Sequence, residues 1–258
     1  MSAKGLIYRR IFDYVIKYSI NIKDRVFPPR CGGCGRPVKP GQLVEFCEQC
    51  LSILPWIVRP FCLKCGKDFN PSNAADAGRF SFRICASCRV KQPGFEAGRS
   101  AFRYEGVARQ AVQSLKFRGR KTLAESFAIL LEKRLVDEPI FLEGVDLVIP
   151  VPLHPSRRRE RGFNQSALVA WELSKRLGIP FSEKALIRNR GTRPQVGLSA
   201  KERADNIRGA FQANEEVMGK VILLIDDVMA TGATASACSR ALRVAGATET
   251  RVLTLARD

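Results

Sequence analysis

The sequence predicts an α/β domain built on a parallel sheet with helices on both faces, preceded by a small cysteine-rich module. Two apolar runs rich in β-branched residues, 145–151 and 221–225, are typical of strands buried on both sides. Segments of helical periodicity separate these runs, and a polar loop follows each of them. Because the carboxyl ends of parallel strands lie at one edge of a sheet, the loops after residues 151 and 225 are expected to meet there.

The charge balance limits the partners that the chain can have. Its 258 residues include 43 lysines and arginines against 25 aspartates and glutamates, a net charge of +18 at pH 7. This excess favours an anionic partner, whether a phosphorylated small molecule, a nucleic acid or an anionic membrane surface. There is no run of eighteen apolar residues, and Asp13 and Lys17 interrupt the amino-terminal apolar segment, so neither a membrane span nor a signal peptide is predicted. We therefore expect a cytoplasmic protein.

Residues 1–30 are interpreted as an amino-terminal helical region. Apolar side chains recur at helical spacing over residues 6–20, among basic side chains, and Pro28 and Pro29 close the region. Packing against the neighbouring module accounts for such a helix. Contact with a membrane surface or with DNA is the alternative.

Residues 31–90 are predicted to form a double zinc ribbon. Eight of the nine cysteines fall into four Cys-x-x-Cys pairs, and two such knuckles supply the four thiolates of one tetrahedral Zn²⁺. Two structural ions are therefore expected, with short strands at residues 38–46 and 80–84 between the knuckles. Gly35 and Gly66 follow a knuckle where a positive φ is needed. The candidate ligands are Cys31, Cys34, Cys47, Cys50, Cys62, Cys65, Cys85 and Cys88.

The cysteine pattern leaves three questions open. Disulfides or iron–sulfur ligation could replace zinc. Sequential pairing of the knuckles costs less loop-closure entropy, but interleaved pairing would also satisfy the spacing. The ions are expected mainly to stabilise a module whose core is too small to do so, with nucleic-acid contact as the second role.

Residues 95–258 are predicted to form the α/β domain, joined to the cysteine module by a linker at residues 91–94. The remaining cysteine, Cys238, is expected in the core of the last helix, and His154, among prolines, is expected to be a turn residue. The predicted elements are an edge strand at 100–104, helices at 107–115 and from Thr122 to about 136, a strand at 145–151, a cationic loop at 156–165, a helix at 166–177, a helix after Ser199, a strand at 221–225 and a helix at about 235–244.

The most informative stretch is residues 221–234. Its apolar run ends in two acids, Asp226 and Asp227, and small residues with a Thr-Gly-x-Thr pattern follow, before a helix whose amino terminus can bind a phosphate. Donors for a phosphate beside acceptors for hydroxyl groups suit a ribose 5-phosphate. The small residues are Ala230, Thr231, Gly232, Ala233 and Thr234.

This stretch resembles the loop that binds phosphoribosyl pyrophosphate (PRPP) in type I phosphoribosyltransferases. The resemblance implies a type I phosphoribosyltransferase-like parallel sheet with flanking helices. It implies that Asp226 and Asp227 bind the ribose hydroxyls and that residues 230–234 bind the 5′-phosphate. An ordinary buried strand with a polar turn would explain the apolar run but not the paired acids.

A wider set of motifs resembles the ComF family of bacterial competence-associated proteins. They occur in the family's order and span nearly the whole chain, cysteine module included. The resemblance implies a pyrophosphate loop at Val151, Pro152 and Leu153 with Arg157 nearby, and a flexible loop at 188–203. The motifs are Pro150 to Pro155, Arg161-Gly162-Phe163-Asn164-Gln165, Thr192-Arg193-Pro194-Gln195, Arg203, Asn206 and Gly209-Ala210-Phe211.

The resemblance leads to three functional hypotheses. In the first, the chain binds PRPP with Mg²⁺ and acts as a phosphoribosyltransferase of unknown acceptor, with Arg157, Arg161 and Arg203 facing the pyrophosphate and Asp226 and Asp227 orienting the sugar. In the second, it binds single-stranded DNA and assists the DNA-uptake machinery without turnover. In the third, it senses PRPP without reacting it. The sequence shows no recognisable acceptor site, so enzyme status stays open.

Overall fold

The computed structural model describes residues 28–39, 41–69, 84–136, 138–189 and 209–258. Outside these residues lie the predicted amino-terminal helix, residues 80–83 of the strand predicted at 80–84, the helix after Ser199, Arg203 and most of the flexible loop. No helix among the described residues is both long and apolar enough to cross a membrane.

The domain is built on a four-stranded sheet of order β1-β6-β5-β2, in which every neighbouring pair is parallel. The predicted edge strand is confirmed as β1, and the two predicted buried strands are confirmed as β2 and β5. Strand β6 and the separate antiparallel pair of β3 and β4 were not predicted from the sequence. The strands are β1 Ala97–Arg103, β2 Leu147–Pro150, β3 Leu186–Arg188, β4 Phe211–Ala213, β5 Val221–Met229 and β6 Glu249–Arg257.

Seven α-helices are present among the described residues. The helices predicted at 107–115, from Thr122 to about 136, at 166–177 and at about 235–244 form within one or two residues of their expected ends, and Gly178, in the left-handed conformation, ends α6. The helices are α1 Glu48–Ser52, α2 Ala86–Val90, α3 Gly106–Phe117, α4 Leu123–Val136, α5 Pro155–Arg161, α6 Gln165–Leu177 and α7 Ala233–Val244; 3₁₀ turns occupy Pro139–Phe141 and Glu215–Val217.

Both faces of the sheet are covered, as a doubly wound sheet requires. Along β5, Leu223 and Ile225 join the core cluster that contains α3, α4 and α6, whereas Ile222 and Leu224 join the cluster that contains α7. This alternation explains why the strand reads as a continuous apolar run.

The cysteine module lies against the domain, one half on each core. Cys31 and Cys50 belong to the cluster of α3 and α4, and all four cysteines from Cys62 to Cys88 belong to the cluster of α7. The strand predicted at residues 38–46 is wrong, because the described residues of that segment, 38–39 and 41–46, form turns, bends and irregular backbone. Its backbone is bonded to the first knuckle instead, for example by Gly32 N–H donating to the carbonyl of Glu45 at 2.7 Å.

A buried charge cluster joins the second half of the module to the domain. Glu138 accepts a hydrogen bond from Arg99 Nε at 2.6 Å and forms an ion pair with Arg134 at 2.8 Å. Both guanidinium groups stack on the ring of Phe61, and Arg99 also donates to the carbonyl of Leu63 at 2.9 Å. Residues of the module and of the domain therefore share one desolvated network.

Candidate functional site

The two acids of the predicted loop lie in β5, beyond the end of the neighbouring strand β2. Strand β2 ends where Pro150 pairs with Ile225, but β5 continues along β6 to Met229, with Asp226 opposite Thr254. The strand was predicted to end at residue 225. This prediction is wrong, because β5 continues to pair with β6 beyond that residue. The acids still lie at the carboxyl edge of the sheet. On the side of β5 that faces β2, they lie beyond the end of that shorter strand.

Asp227 is neutralised by the chain itself. Its Oδ1 lies 2.6 Å from Nζ of Lys116, at the end of α3, and its Oδ2 accepts a hydrogen bond from Gln165, the first residue of α6. The residue is 7% exposed, so this ion pair is largely desolvated. Both carboxylate oxygens of Asp227 are thus engaged by neighbouring side chains.

Asp226 is in a different environment. Its Oδ1 accepts hydrogen bonds from Ser166 Oγ at 3.3 Å and from the backbone N–H of Asp227 at 2.8 Å. Desolvation, together with the negative charge of Asp227, raises the pKa of Asp226 to about 7. The pair therefore consists of one carboxylate held by a lysine and one carboxyl group that titrates near neutral pH.

The raised pKa predicts a dependence of stability on pH. The folded state holds a proton on Asp226 that the unfolded state, with a pKa of 3.8, releases. This contribution is complete below about pH 4 and is lost as the pH rises to about 7. We expect Asp226→Asn to flatten the fall in unfolding free energy between these values, measured by urea denaturation at a series of pH values. An unchanged slope in the variant would contradict the assignment.

The turn after Met229 forms the predicted phosphate loop, residues 230–234. Gly232 has a φ of +74° and is the N-cap of α7, which begins at Ala233 rather than near 235. Thr231 Oγ1 accepts a hydrogen bond from the N–H of Ala233 at 3.3 Å. The amino end of a twelve-residue helix thus lies within the loop, directly after the strand that carries the acids.

The turn after β2 lies beside β5. Val151 N–H donates to the carbonyl of Ile225 at 2.8 Å, and the buried Asn164 side chain donates to the carbonyl of Val151 at 3.0 Å. Pro152 and Leu153 follow, and with neighbouring residues they line a cavity of about 510 Å³ whose other walls include Arg158, Arg159 and Arg188. The two predicted loops do meet at one edge of the sheet.

The cationic segment after this turn is a helix rather than the predicted loop. His154 caps α5 by accepting from Ser156 N at 3.3 Å, and Pro155 occupies its first turn, where a missing N–H costs nothing. His154 is therefore a turn residue, as expected. Arg157 lies in this helix, and Arg161 ends it.

Arg161 points back towards the acids. Its Nη1 donates to Gln165 Oε1 at 3.0 Å, and its guanidinium lies 4.7 Å from the ring centre of Phe117. Burial lowers the pKa of Arg161, and the charge of Asp227 acts in the opposite direction. Gln165 therefore connects Arg161 to Asp227.

The eight paired cysteines form two clusters in sequential order, Cys31 to Cys50 and Cys62 to Cys88. In each cluster the four Sγ atoms lie within 4.8 Å of one another. Cys34 and Cys47 are 3.7 Å apart at sulfur, as are Cys65 and Cys85. Four thiolates about 2.3 Å from a tetrahedral Zn²⁺ would lie about 3.8 Å apart, so both clusters fit a structural zinc ion.

Comparison with known proteins identifies the family. Residues 22–89 match the double zinc ribbon domain, and residues 164–258 match the phosphoribosyl transferase domain. The chain is 30% identical to competence protein F of Haemophilus influenzae over 203 residues, which cover 77% of this chain and 85% of that protein. The chain belongs to the ComF family.

Other ComF-family relatives cover similar shares. DNA utilization protein YhgH of Escherichia coli K12 is 31% identical over 175 residues, 67% of this chain and 77% of that protein. Competence protein ComFC of Bacillus subtilis is 27% identical over 209 residues, 80% of each. A solved glutamine PRPP amidotransferase from B. subtilis aligns with 55% of this chain and 30% of its own, at 25% identity and a TM-score of 0.37.

Several residues of this ComF-family site were not anticipated from the sequence. From the sequence, Lys116 was not assigned to the site, and Asn164, Gln165 and Ser166 were predicted only as part of a motif or as the start of a helix. In the structure, Lys116, Gln165 and Ser166 contact the two acids, and Asn164 contacts the turn after β2. The order of charges along the chain does not reveal such contacts, because Lys116 and Asp227 lie on different elements.

The second cysteine cluster lies behind residues 230–233 of the predicted phosphate loop. A cavity of about 450 Å³ is lined on one side by Cys65, Cys85 and Cys88 and on the other by residues 229–233. Arg257 bridges the two sides, because its Nη1 donates to the carbonyl of Cys65 at 2.9 Å and lies 2.9 Å from Met229 Sδ. The cysteine module thus supports the turn after β5 through Arg257.

Proposed function

We propose that this protein binds a phosphorylated ribose, PRPP or a related compound, at the carboxyl edge of the sheet. The observation that carries the proposal is the continuity of one segment, in which Asp226, the left-handed turn at Gly232 and the amino end of α7 follow each other beside the turn after β2. The loop of residues 230–234 binds the 5′-phosphate, and Asp226 binds the ribose hydroxyls.

The contacts within the site indicate different roles for the two acids. Since Asp227 already pairs with Lys116 and Gln165, it fixes these side chains and the position of β5, and Asp226 is the acid that accepts from the sugar. This modifies the expectation that both acids bind hydroxyl groups. Protonation of Asp226 below about pH 7 should weaken the contact, because a carboxylate is the stronger acceptor.

The remaining part of the ligand lies towards the turn after β2. In PRPP this part is a pyrophosphate, which Val151, Pro152, Leu153, Arg157 and Arg161 would face, and the adjoining cavity of 510 Å³ has the size of small-ligand sites. Mg²⁺ bound with PRPP would neutralise pyrophosphate charge, and Asp226 is the carboxylate that can hold it. Transfer of the sugar requires an acceptor, and pyrophosphate release in a screen of amines and nucleobases measures that step.

Calorimetry with PRPP and Mg²⁺ tests the proposal. We expect saturable binding to the wild type and at least a tenfold loss with Asp226→Asn, since hydrogen bonds to a charged group contribute about 1.5–3 kcal/mol. Glu143→Gln, which removes one exposed acid away from the site, is the matched control and should bind as the wild type does. Equal affinity in wild type and Asp226→Asn would remove the sugar site.

A second candidate function is handling of single-stranded DNA without catalysis. It is favoured by the net charge of +18 and by the relatives, whose printed names refer to competence and DNA utilization. In this case sugar-phosphates of the strand occupy the edge of the sheet, and the zinc module and basic residues contribute further contacts. Binding of oligonucleotides over a salt series tests it, because phosphate contacts predict a steep linear fall of log affinity with log salt.

A further inference from the structure

Phe117 has a large apolar side chain that is not buried in the core. It is the last residue of α3 and is 66% exposed. A single exposed apolar residue is common on protein surfaces and needs no explanation. The contacts of Phe117 do need an explanation, because its neighbours belong to the proposed sugar site.

Two separate routes connect the ring of Phe117 to the acids. The preceding residue, Lys116, forms the ion pair with Asp227. On the other route, the guanidinium of Arg161 lies 4.7 Å from the centre of the ring, and Arg161 donates to Gln165, which donates to Asp227. The ring is therefore held beside the site with Arg161 stacked on it, while two thirds of the side chain remains open to solvent.

The contrast with Trp171 shows what is particular to this position. These are the two exposed side chains among the phenylalanines and tryptophans that the structure describes. Trp171 packs edge-on against Phe181, with ring centres 5.5 Å apart, and contacts Lys175 of its own helix. None of these contacts involves the acids or the residues that hold them.

The geometry points to Phe117 as a stacking platform for a nucleobase whose sugar-phosphate lies beside Asp226. An aromatic face stacks on any base, and an arginine over the ring adds a cation–π contact. Exposed Arg118 and Lys121 follow within four residues and favour a ligand that carries phosphate. The inference rests on the proposed sugar-phosphate site and assigns the chemistry next to it, a nucleobase of a mononucleotide or of a single strand.

A pair of ligands that differ only in the base isolates this contact. Adenosine 5′-monophosphate and ribose 5-phosphate share the phosphate and the ribose hydroxyls. We expect the wild type to bind the nucleotide roughly 5- to 150-fold more tightly, the range that one stacked base gives. Phe117→Ala should remove this advantage and leave the affinity for ribose 5-phosphate unchanged, because Phe117 does not contact the sugar.

Two further variants separate stacking from general damage. Phe117→Trp keeps an aromatic face and should retain the advantage, and its added fluorescence should be quenched by the nucleotide but not by ribose 5-phosphate. Ile140→Ala removes an exposed apolar side chain, 78% accessible, outside the site and should behave as the wild type. Circular dichroism and thermal unfolding check that each variant is folded.

A second ligand pair identifies the source of the base. A twelve-nucleotide oligothymidylate is compared with an abasic oligomer of the same length. A Phe117-dependent advantage for the oligothymidylate alone assigns the base to a single strand, and an advantage for the mononucleotide alone assigns it to a free nucleotide. Either result supports the platform.

The result that overturns the inference differs from the one that overturns the proposed function. If ribose 5-phosphate binds but no Phe117-dependent advantage is seen in either ligand pair, the platform is wrong and the sugar site stands. If the wild type binds neither ribose 5-phosphate nor PRPP, the sugar site is wrong and the platform with it.

Discussion

Replacing Cys65 with serine is expected to remove one zinc ion from each chain and to weaken PRPP binding at the same time. Structural zinc contributes about 10–16 kcal/mol in zinc-finger peptides, so a missing thiolate should unfold the second ribbon. The carbonyl of Cys65 holds Arg257, which also contacts Met229, the residue before the phosphate loop. Losing the ribbon therefore removes the support behind that loop.

Cys34→Ser is the matched control for this prediction. Cys34 is an exposed member of the first cluster, whose buried cysteines pack with α3 and α4 rather than with α7. We expect this variant to lose one ion as well and to keep most of its affinity for PRPP. Zinc per chain by atomic emission and PRPP affinity by calorimetry are the two measurements. Equal loss of affinity in both variants would show that the second ribbon has no special role.

Asp227→Asn is expected to destabilise the fold by about 3–5 kcal/mol, the cost of removing one partner from a desolvated ion pair. The Lys116 and Asp227 side chains are only 15% and 10% exposed, so the lysine would be left without its counter-charge. The change should appear as a lower midpoint in urea denaturation. Combining it with Lys116→Met should recover a large part of the loss, because no unpaired cation then remains.

An exposed ion pair on α6 provides a comparison for the desolvated Lys116–Asp227 pair. Lys175 and Glu172 pair across one helical turn with side chains 44% and 24% exposed, and Glu172→Gln should cost no more than about 0.5 kcal/mol. Similar costs for Asp227→Asn and Glu172→Gln would contradict the view that the Lys116–Asp227 contact is a structural anchor.

The features that could be read from the sequence are those that a short segment determines. The apolar run before Asp226 is typical of a strand buried on both faces, and glycine before Ala233 suits the left-handed turn that starts α7. The cysteine spacing likewise identifies the eight candidate ligands, although the structure was needed to show which knuckles share one cluster. The family resemblance drawn from separate motifs is confirmed by the relatives.

The features that could not be read depend on contacts between distant segments. Strand β5 runs on to Met229 because β6 pairs with it there, and residues 249–257 had not been recognised as a strand. The helix α5 forms because His154 caps it and Pro155 begins it, whereas the density of charge in that segment suggested a loop. The engagement of Asp227 by Lys116 and Gln165 joins three elements, and no local pattern encodes it.

A crystal structure of the protein with ribose 5-phosphate would show whether the carboxyl edge of the sheet binds the sugar. We expect the phosphate within hydrogen-bond distance of the backbone N–H groups of residues 231–234 and the 2′- and 3′-hydroxyls on Asp226, with Lys116 still paired to Asp227. A ligand found only in the cavity beside Cys85 and Cys88, or an Asp226 side chain with no space for a sugar beside it, would rule out this sugar site.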